Sequence, residues 1–196
     1  MRTFRSLGAL LLALVTLSAC GPSYENGPPS PEPGEIRALE QAILDLGGGI
    51  AEQEAAATAR IAFTYPLDLA ERYMITDPPL IHNMKVNAGR KPRGLCYQWA
   101  DDLEARLERE GFTSLELHRA IANHDKPLRI EHSTVIVSRR GAPMEEGIVL
   151  DPWRWGGRLY WVRVPEDPKY DWWPRGEVFA WKRGQEGEMR GEIPAY

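Results

Sequence analysis

Three residues of the types used in nucleophilic catalysis follow one another along the chain. Cys96 is the only cysteine beyond residue 20, and His132 and Asp151 come after it. A thiolate attacks a carbonyl carbon, an imidazole stabilises the thiolate and protonates the leaving group, and a carboxylate orients the imidazole. If folding brings the three side chains together, the chemistry that they predict is acyl transfer through a thioester.

The cysteine stands at the start of the clearest amphipathic helix pattern in the sequence. From residue 95 apolar residues recur every four positions, and charged residues fill most of the other positions. The apolar positions are Leu95, Trp99, Leu103 and Leu107. Unsatisfied N–H groups and the positive end of the helix dipole bias a thiol at a helix N-terminus towards thiolate. The alternative is a small buried thiol that packs beneath the helix.

The histidine and the aspartate fall on two neighbouring predicted strands. His132 opens a β-branched segment at residues 131–138, and Asp151 ends the next strand at residues 147–152, after a turn at 139–143. Strands joined by a short turn pair antiparallel, so the two side chains can lie side by side across the ladder. Taken singly, a histidine at a strand start and an Asp-Pro pair are each commonly structural.

Four further residues are candidates for the surroundings of the cysteine. Residues 76–93 are rich in proline, asparagine and glycine and predict an extended loop that ends at the cysteine helix. An amide of Asn83 or Asn87 could donate to an oxyanion, although asparagine in a loop more often forms a turn. Tyr97 and Trp153 are candidates for the wall of a substrate cleft, although aromatic residues also commonly cover a sheet edge.

Three short motifs surround these positions, namely Gly94-x-Cys96-Tyr97-x-x-Ala100, Glu131-His132-Ser133 and Asp151-Pro152-Trp153. In order and spacing they resemble the transglutaminase-like superfamily of papain-like cysteine enzymes. The resemblance covers roughly residues 83–155 and implies a cysteine-bearing helix packed on an antiparallel sheet that carries the histidine and the aspartate. It also implies a peptidase, an amidase, a transamidase or a member that has lost activity.

One position departs from the family pattern. In animal transglutaminases a tryptophan that precedes the cysteine helps to bind the oxyanion, whereas the first tryptophan of this chain is Trp99. The crosslinking reaction is therefore the least favoured of the implied activities. The backbone N–H of Cys96 is one expected oxyanion donor, and the second stays unassigned.

The N-terminus resembles the signal sequence of a bacterial lipoprotein. Two arginines precede an apolar run at residues 7–15 that is too short to span a membrane, and residues 17–20 read Leu-Ser-Ala-Cys, like a lipobox. The resemblance implies acylation of Cys20 and a lipid-anchored protein of the bacterial cell envelope. Gly21, in place of the aspartate that favours the inner membrane, predicts the outer membrane facing the periplasm. The alternative is an ordinary signal peptide without lipid.

Lipidation of Cys20 would leave Cys96 as an unpaired cysteine in an oxidising compartment. Such a cysteine has no partner for an internal disulfide, and two cysteines alone do not make a structural zinc site. A working thiol is then the favoured interpretation, and an intermolecular disulfide is the alternative.

Composition divides the chain into three parts. Residues 1–20 are the predicted signal peptide, residues 21–34 a flexible tether rich in proline and glycine, and residues 35–196 a single domain. The domain is predicted to be α+β, with N-terminal helices and the cysteine helix packed on an antiparallel sheet. Further helices are predicted at residues 35–46, at 50–62 and from Pro66 onward, and further strands at 114–122, 158–164 and 178–181.

The charge pattern excludes one class of partner and the motifs suggest another. The formal net charge is −4 and there is no basic tract, which argues against nucleic-acid binding. No spacing of ligating residues predicts a metal site, and no motif predicts a cofactor. The sequence thus predicts a thiol-dependent enzyme of the cell envelope, a cysteine peptidase or amidase acting on a peptide or protein. The alternative is an inactive lipid-anchored binding or structural module with the same fold.

Overall fold

The structure is a computed structural model that describes residues 22–190, with side chains as far as residue 185. Within these residues the chain forms five α-helices and one five-stranded antiparallel sheet, which confirms the predicted α+β class. The predicted signal sequence and its Cys20 lie outside the described residues.

Four helices precede most of the sheet and one follows it. The helices are α1 (Pro33–Leu44), α2 (Glu52–Arg72), α3 (Pro79–Asn87), α4 (Cys96–Glu108) and α5 (Arg175–Arg190). The strands are β1 (Leu115–Ala122), β2 (His132–Arg139), β3 (Ile148–Trp155), β4 (Arg158–Arg163) and β5 (Trp173–Pro174). The strand order is β4-β3-β2-β1-β5 with every neighbouring pair antiparallel, so consecutive strands β1 to β4 form a meander.

The main core lies between one face of this sheet and the helices α1, α2 and α4. Leu103 and Leu107 of α4 are fully buried there against Val135 and Leu150 of the strands. A second cluster, which includes Tyr170, covers the other face. Because both faces of the sheet are covered, β2 is buried at every position except its last and does not alternate between buried and exposed residues.

Helix α2 corrects the prediction that Pro66 begins a new helix. Pro66 lies inside α2, which continues to Arg72. A proline in a helix interior costs one backbone hydrogen bond. The buried face of α2, which includes Phe63, Pro66 and Leu69, packs into the core, and this tertiary burial outweighs the local preference.

Helix α3 corrects the prediction that residues 76–93 form only a loop. Pro78 is its N-cap and Pro79 its first residue, the position where a missing N–H costs nothing. His82, one turn along, is buried against the segment that leads to Cys96, and Asn83, the next residue of the helix, is also buried. The asparagines and glycines near its C-terminus obscure a helix of only nine residues.

Helix α5 corrects the prediction of a strand at residues 178–181. Val178 is buried, whereas Phe179 and Trp181 are largely exposed, so the segment presents one residue to the core and not an alternating face. Pro174, at the end of β5, immediately precedes the helix.

The segment ahead of α1 lies along the turn between β3 and β4. It has no helix or strand, and the Tyr24 hydroxyl donates to the Trp155 carbonyl at 3.1 Å. Arg158 binds Glu35 at 2.7 Å next to it. The helix itself begins at Pro33, inside the stretch predicted to be a tether.

Candidate active site

The His132 imidazole and the Asp151 carboxylate meet at one end of the sheet. The register of β2 and β3 puts Val135 opposite Leu150, which sets His132 and Asp151 diagonally across the ladder. His132 Nε2 lies 2.6 Å from Asp151 Oδ2. The two side chains are only 2% and 1% exposed, so the pair is removed from water.

A buried arginine binds the aspartate as well. Arg154 Nε donates to Asp151 Oδ2 at 3.0 Å, and the Arg154 backbone N–H donates to Oδ1 at 3.2 Å. The β3–β4 register shifts between Asp151 and Trp155, a bulge of the kind that redirects side chains. The outer guanidinium nitrogens of Arg154 bind both oxygens of Asp167, at 3.1 and 2.7 Å. Two carboxylates therefore share one guanidinium.

These neighbours oppose the effect of burial on the two pKa values. Burial alone lowers the pKa of His132, but Asp151 and the Cys96 thiol raise it to about 9. Burial alone raises the pKa of Asp151, but His132 and Arg154 hold it below its usual range. The environment thus favours an imidazolium paired with a carboxylate at neutral pH.

Three aromatic rings enclose the imidazole of His132. The ring centroids of Trp153 and Tyr170 each lie 4.6 Å from that of His132, and the centroid of Trp172 lies 5.4 Å away. Trp172 Nε1 also donates to Asp167 Oδ2 at 3.0 Å, which connects the rings to the charge network. By keeping water away, the rings strengthen the interaction between His132 and its carboxylate.

Cys96 is the first residue of α4, where backbone N–H groups lack intrahelical partners. Gln98 Oε1 accepts the N–H of Gly94 at 2.8 Å and that of Leu95 at 3.0 Å, which fixes the chain just before the cysteine. Within residues 22–190 no acceptor binds the N–H of Cys96. This N–H can therefore donate to a negatively charged oxygen beside the thiol.

The turn before the cysteine requires glycine at position 94. Its φ is 126°, a conformation that residues with a side chain rarely adopt, and a Cβ there would meet His82 Nε2 at 2.5 Å. His82 Nε2 donates to the Arg93 carbonyl at 2.8 Å, and burial lowers the pKa of His82, so the neutral imidazole is the donor. Helix α3 supports the cysteine turn through this contact.

The Cys96 thiol borders a cleft of about 350 Å³ between α4, α5 and the sheet. The cleft is lined by Cys96, Tyr97, Asp101, Arg119, Ile121, Glu131, His132, Ser133, Arg175 and Phe179. The cysteine is 8% exposed, and its Sγ lies 3.6 Å from the carbonyl oxygen of Glu131. Among the described residues nothing binds the buried Nδ1 of His132, so this nitrogen is free for the thiol or a substrate.

Of the four remaining predicted residues, Tyr97 lines the cleft, Trp153 lies buried next to His132 with Asn83 bound to it, and Asn87 lies at the surface. Tyr97 lines the cleft and is about half exposed. Trp153 packs on His132, and its Nε1 donates to Asn83 Oδ1 at 3.1 Å, so the structure joins these two through a buried hydrogen bond. Asn87 lies exposed at the end of α3, one turn beyond Asn83.

Sequence reasoning missed the second layer of the site. The sequence does not predict that Arg154 and Asp167 meet, because the bulge and the 3₁₀ turn (Val164–Glu166) that bring them together leave no pattern in one sequence. Tyr170 and Trp172 lie beyond the predicted motifs, so no spacing in the sequence links them to His132. The signal that could have found Arg154 is its position three residues after Asp151 on a buried strand, where an unpaired charge is costly.

Two other properties of residues 22–190 bear on the site. No group of three or more histidine, cysteine, aspartate or glutamate side chains there could hold a metal ion. None of the helices in this part of the chain has the length and apolar character needed to cross a membrane.

The arrangement places a thiol, a charged imidazole and a free backbone N–H at one cleft. A thiol attacks, an imidazolium protonates a leaving group and an N–H stabilises an oxyanion, so these groups together are suited to acyl transfer.

A scan against protein-family models, a search of the curated proteins and a search of the solved structures gave no match for this chain.

Proposed function

We propose that this protein is a thiol-dependent acyl-transfer enzyme with the triad Cys96, His132 and Asp151. Hydrolysis of a peptide or amide is the simplest reaction for it, since nothing in the cleft marks a site for an amine acceptor. Its motifs and its order of cysteine helix, histidine strand and aspartate strand support membership of the transglutaminase-like superfamily.

The observation that carries the proposal is the buried pair of His132 and Asp151 at the cleft of Cys96. The imidazole is bound through Nε2 at 2.6 Å, while its Nδ1 is buried and has no partner among the described residues. His82 and His124 also have a buried Nδ1 without a partner among the described residues, but of the three only His132 lines the cleft of Cys96 and is paired with a buried carboxylate. An imidazole held on one side and free on the other is what a cysteine nucleophile requires.

In the first half of the reaction the Cys96 thiolate attacks the substrate carbonyl and a C–S bond forms. The oxyanion of the tetrahedral intermediate accepts a hydrogen bond from the Cys96 N–H. His132 then transfers its Nδ1 proton to the leaving nitrogen, the C–N bond breaks and a thioester remains. Asp151 keeps the Nε2 proton in place throughout, which fixes the tautomer.

In the second half water attacks the thioester. His132 Nδ1 removes a proton from the water, the C–S bond breaks, and a carboxylic acid leaves as the thiolate and imidazolium are restored. An amine in place of water would give a transamidation by the same steps.

The test is the pH dependence of alkylation at Cys96. Full-length protein is treated with iodoacetamide between pH 5 and 9, and mass spectrometry maps the label to Cys96. We expect rapid labelling at pH 6, far below the free-thiol pKa of about 8.5, and a rate roughly 10–100-fold lower in His132→Ala. His118→Ala, which removes a histidine that does not line the cleft, is the matched control and keeps the wild-type rate.

One contact favours a second candidate, an inactive binding module. Cys96 Sγ lies within hydrogen-bonding range of the Glu131 carbonyl, and only a neutral thiol donates such a bond. Labelling that becomes fast only at alkaline pH, and that is the same in His132→Ala, would establish this second candidate and exclude the enzyme.

We also propose that the protein is anchored to the bacterial cell envelope by lipid on Cys20, at the outer membrane facing the periplasm. The support is the lipobox-like sequence at residues 17–20 after a basic and apolar N-terminus. Peptides and proteins of the envelope are then within reach of the cleft.

A further inference from the structure

The sheet side of the cleft carries a buried arginine whose charge is already neutralised. Arg119, with a side chain only 4% exposed, binds Asp101 and lies 3.0 Å from Glu104. Its second terminal nitrogen donates to Ser133 Oγ at 3.0 Å. Two carboxylates around one guanidinium leave no positive charge with which to attract an anionic substrate.

The charged residues at the rim of the cleft are also paired with residues of opposite charge. Glu131 binds Lys182 of α5 at 2.8 Å, so its carboxylate is not free to select a cationic substrate. Arg175 at the start of α5 lies 3.9 Å from Asp101. Each charged residue that lines the cleft thus has a partner of opposite charge within the fold, so the lining offers a substrate no unpaired charge.

Apolar side chains supply the surface that remains. Tyr97 of α4 and Phe179 of α5 line the cleft with 49% and 45% of their surface exposed, and Ile121 of β1 lines it as well. Of the large apolar side chains that are exposed among residues 22–185, Tyr97 and Phe179 are the two that line the cleft. Their burial by a ligand would be favourable, and they share the cleft with Cys96.

We propose that the acyl donor is a polypeptide with a bulky apolar side chain on the residue whose carbonyl is attacked, and that this side chain lies between Tyr97 and Phe179. The inference rests on the proposed function of Cys96. A volume of about 350 Å³ is at the small end of ligand sites, roughly 300–1,000 Å³. It accommodates one large side chain, whereas a long fatty acyl chain needs a longer channel.

Two tryptophans extend the apolar surface beyond the cleft. Trp173 and Trp181 are each nearly half exposed, and both rings pack edge-on against His124. His124 thus holds the two rings near each other, and Trp173 lies opposite Ile121, a residue of the cleft, in the β1–β5 ladder. Neighbouring residues of an extended polypeptide can contact them, which a single amino acid ester would not do.

The experiment compares N-acetyl-dipeptidyl chloromethyl ketones with Phe, Leu, Lys, Asp or Gly at the residue bearing the ketone. Cys96 displaces chloride, a C–S bond forms, and intact mass gives the rate on full-length Cys20→Ser protein. We expect the Phe and Leu reagents to react roughly 10–100-fold faster than the other three. Phe179→Ala and Tyr97→Ala should each reduce this preference, and Trp155→Ala, an exposed aromatic outside the cleft, should keep it.

Iodoacetamide, which has no side chain to recognise, separates this inference from the proposed function. Equal rates for all five ketones, with iodoacetamide labelling still dependent on His132, would overturn the inference and leave the enzyme proposal standing. Binding of the corresponding N-acetyl-dipeptide amides to Cys96→Ala tests the cleft without the nucleophile. Tighter binding of the Phe and Leu amides supports the inference, and equal or charge-dependent binding contradicts it even if Cys96 proves unreactive.

Discussion

At the scale of single residues the site is a buried chain of alternating charges. Asp167, Arg154, Asp151 and His132 follow one another through hydrogen bonds of 2.6–3.1 Å, and the thiol of Cys96 lies at the end. Each member has at least one partner of opposite charge, which is the condition under which charges persist in a low-dielectric interior. The state of the imidazole therefore depends on residues that never contact a substrate.

The pKa of His132 predicts how stability changes with pH. It is about 9 in the folded chain against an ordinary value near 6.5, so folding is favoured by proton binding. This contribution is fully present below pH 6.5 and is lost as the pH rises through about 9. The groups facing the ring are Asp151, Cys96 and Tyr170, and burial raises the pKa of Tyr170 away from this window.

We therefore expect the free energy of unfolding in urea to decline between pH 6.5 and 9 in the wild type, and to decline less in His132→Asn. Asp151→Asn, which removes the main stabilising charge, should also flatten the profile. The other histidines are present in every variant, so their contributions to the pH dependence cancel in the comparison. Parallel profiles for the wild type and His132→Asn would show that the imidazole does not hold a proton more tightly in the folded chain.

Arg154 predicts a second residue-scale effect. Arg154→Met leaves Asp151 and Asp167 buried without their shared cation, and removal of one partner from a buried ion pair costs about 3–5 kcal/mol. Arg158→Met breaks a half-exposed pair with Glu35 and is the matched control, with an expected loss of about 0–1 kcal/mol. Urea unfolding measures both, and comparable losses would contradict the buried network.

At the scale of elements, α3 and α4 form one unit around the cysteine turn. His82 of α3 contacts Gly94 and Arg93, while Gln98 of α4 accepts two N–H groups of the same turn. Trp153 of β3 binds Asn83, so the unit is also tied to the strand that carries the aspartate. The position of the thiol relative to the imidazole therefore depends on helix α3.

Gly94→Ala tests this unit against Gly89, a second glycine with a positive φ. The φ of Gly89 is 69° and that of Gly94 is 126°, so backbone strain costs an alanine at either position about 1–2 kcal/mol or more, but of the two only Gly94 lacks room for a Cβ. Gly94→Ala should lose a further 1–3 kcal/mol, roughly, and slow iodoacetamide labelling of Cys96 about tenfold or more. Gly89→Ala should show only the loss of about 1–2 kcal/mol that comes from backbone strain. If both variants label at the wild-type rate, the turn does not position the thiol.

The sequence predicts the elements that carry periodic burial or short turns. The cysteine helix and strands β1 to β4 lie within three residues of their predicted bounds, because each has either an apolar face or a β-branched core. The facing of His132 and Asp151 also follows from sequential antiparallel strands. Helix α3, the interior position of Pro66 and the bulge that brings Arg154 to Asp151 depend on tertiary contacts, which a pattern along one chain does not contain.

At the scale of the whole molecule the site is assembled from four separate segments. The N-terminus of α4 supplies the thiol, β2 and β3 supply the imidazole and the carboxylate, and α5 supplies Phe179 as the outer wall. Among residues 175–185 of α5, Val178 is the one buried residue, and half-exposed ion pairs such as Lys182 with Glu131 also join this helix to the body. Exposed pairs of this kind contribute little stability, so the outer wall is held less firmly than the triad.

The proposed lipid anchor makes a prediction about the whole chain. In a Gram-negative host the full-length protein should fractionate with membranes, and its N-terminal peptide should carry the mass of acyl chains on Cys20. Cys20→Ser should move the protein to the soluble fraction without changing the labelling of Cys96, since the described residues that line the cleft all lie between Cys96 and Phe179. Cys96→Ser is the matched control and should stay with the membranes. A Cys20→Ser protein that remains membrane-bound would show that the lipobox-like sequence is not the anchor, whatever the thiol of Cys96 does.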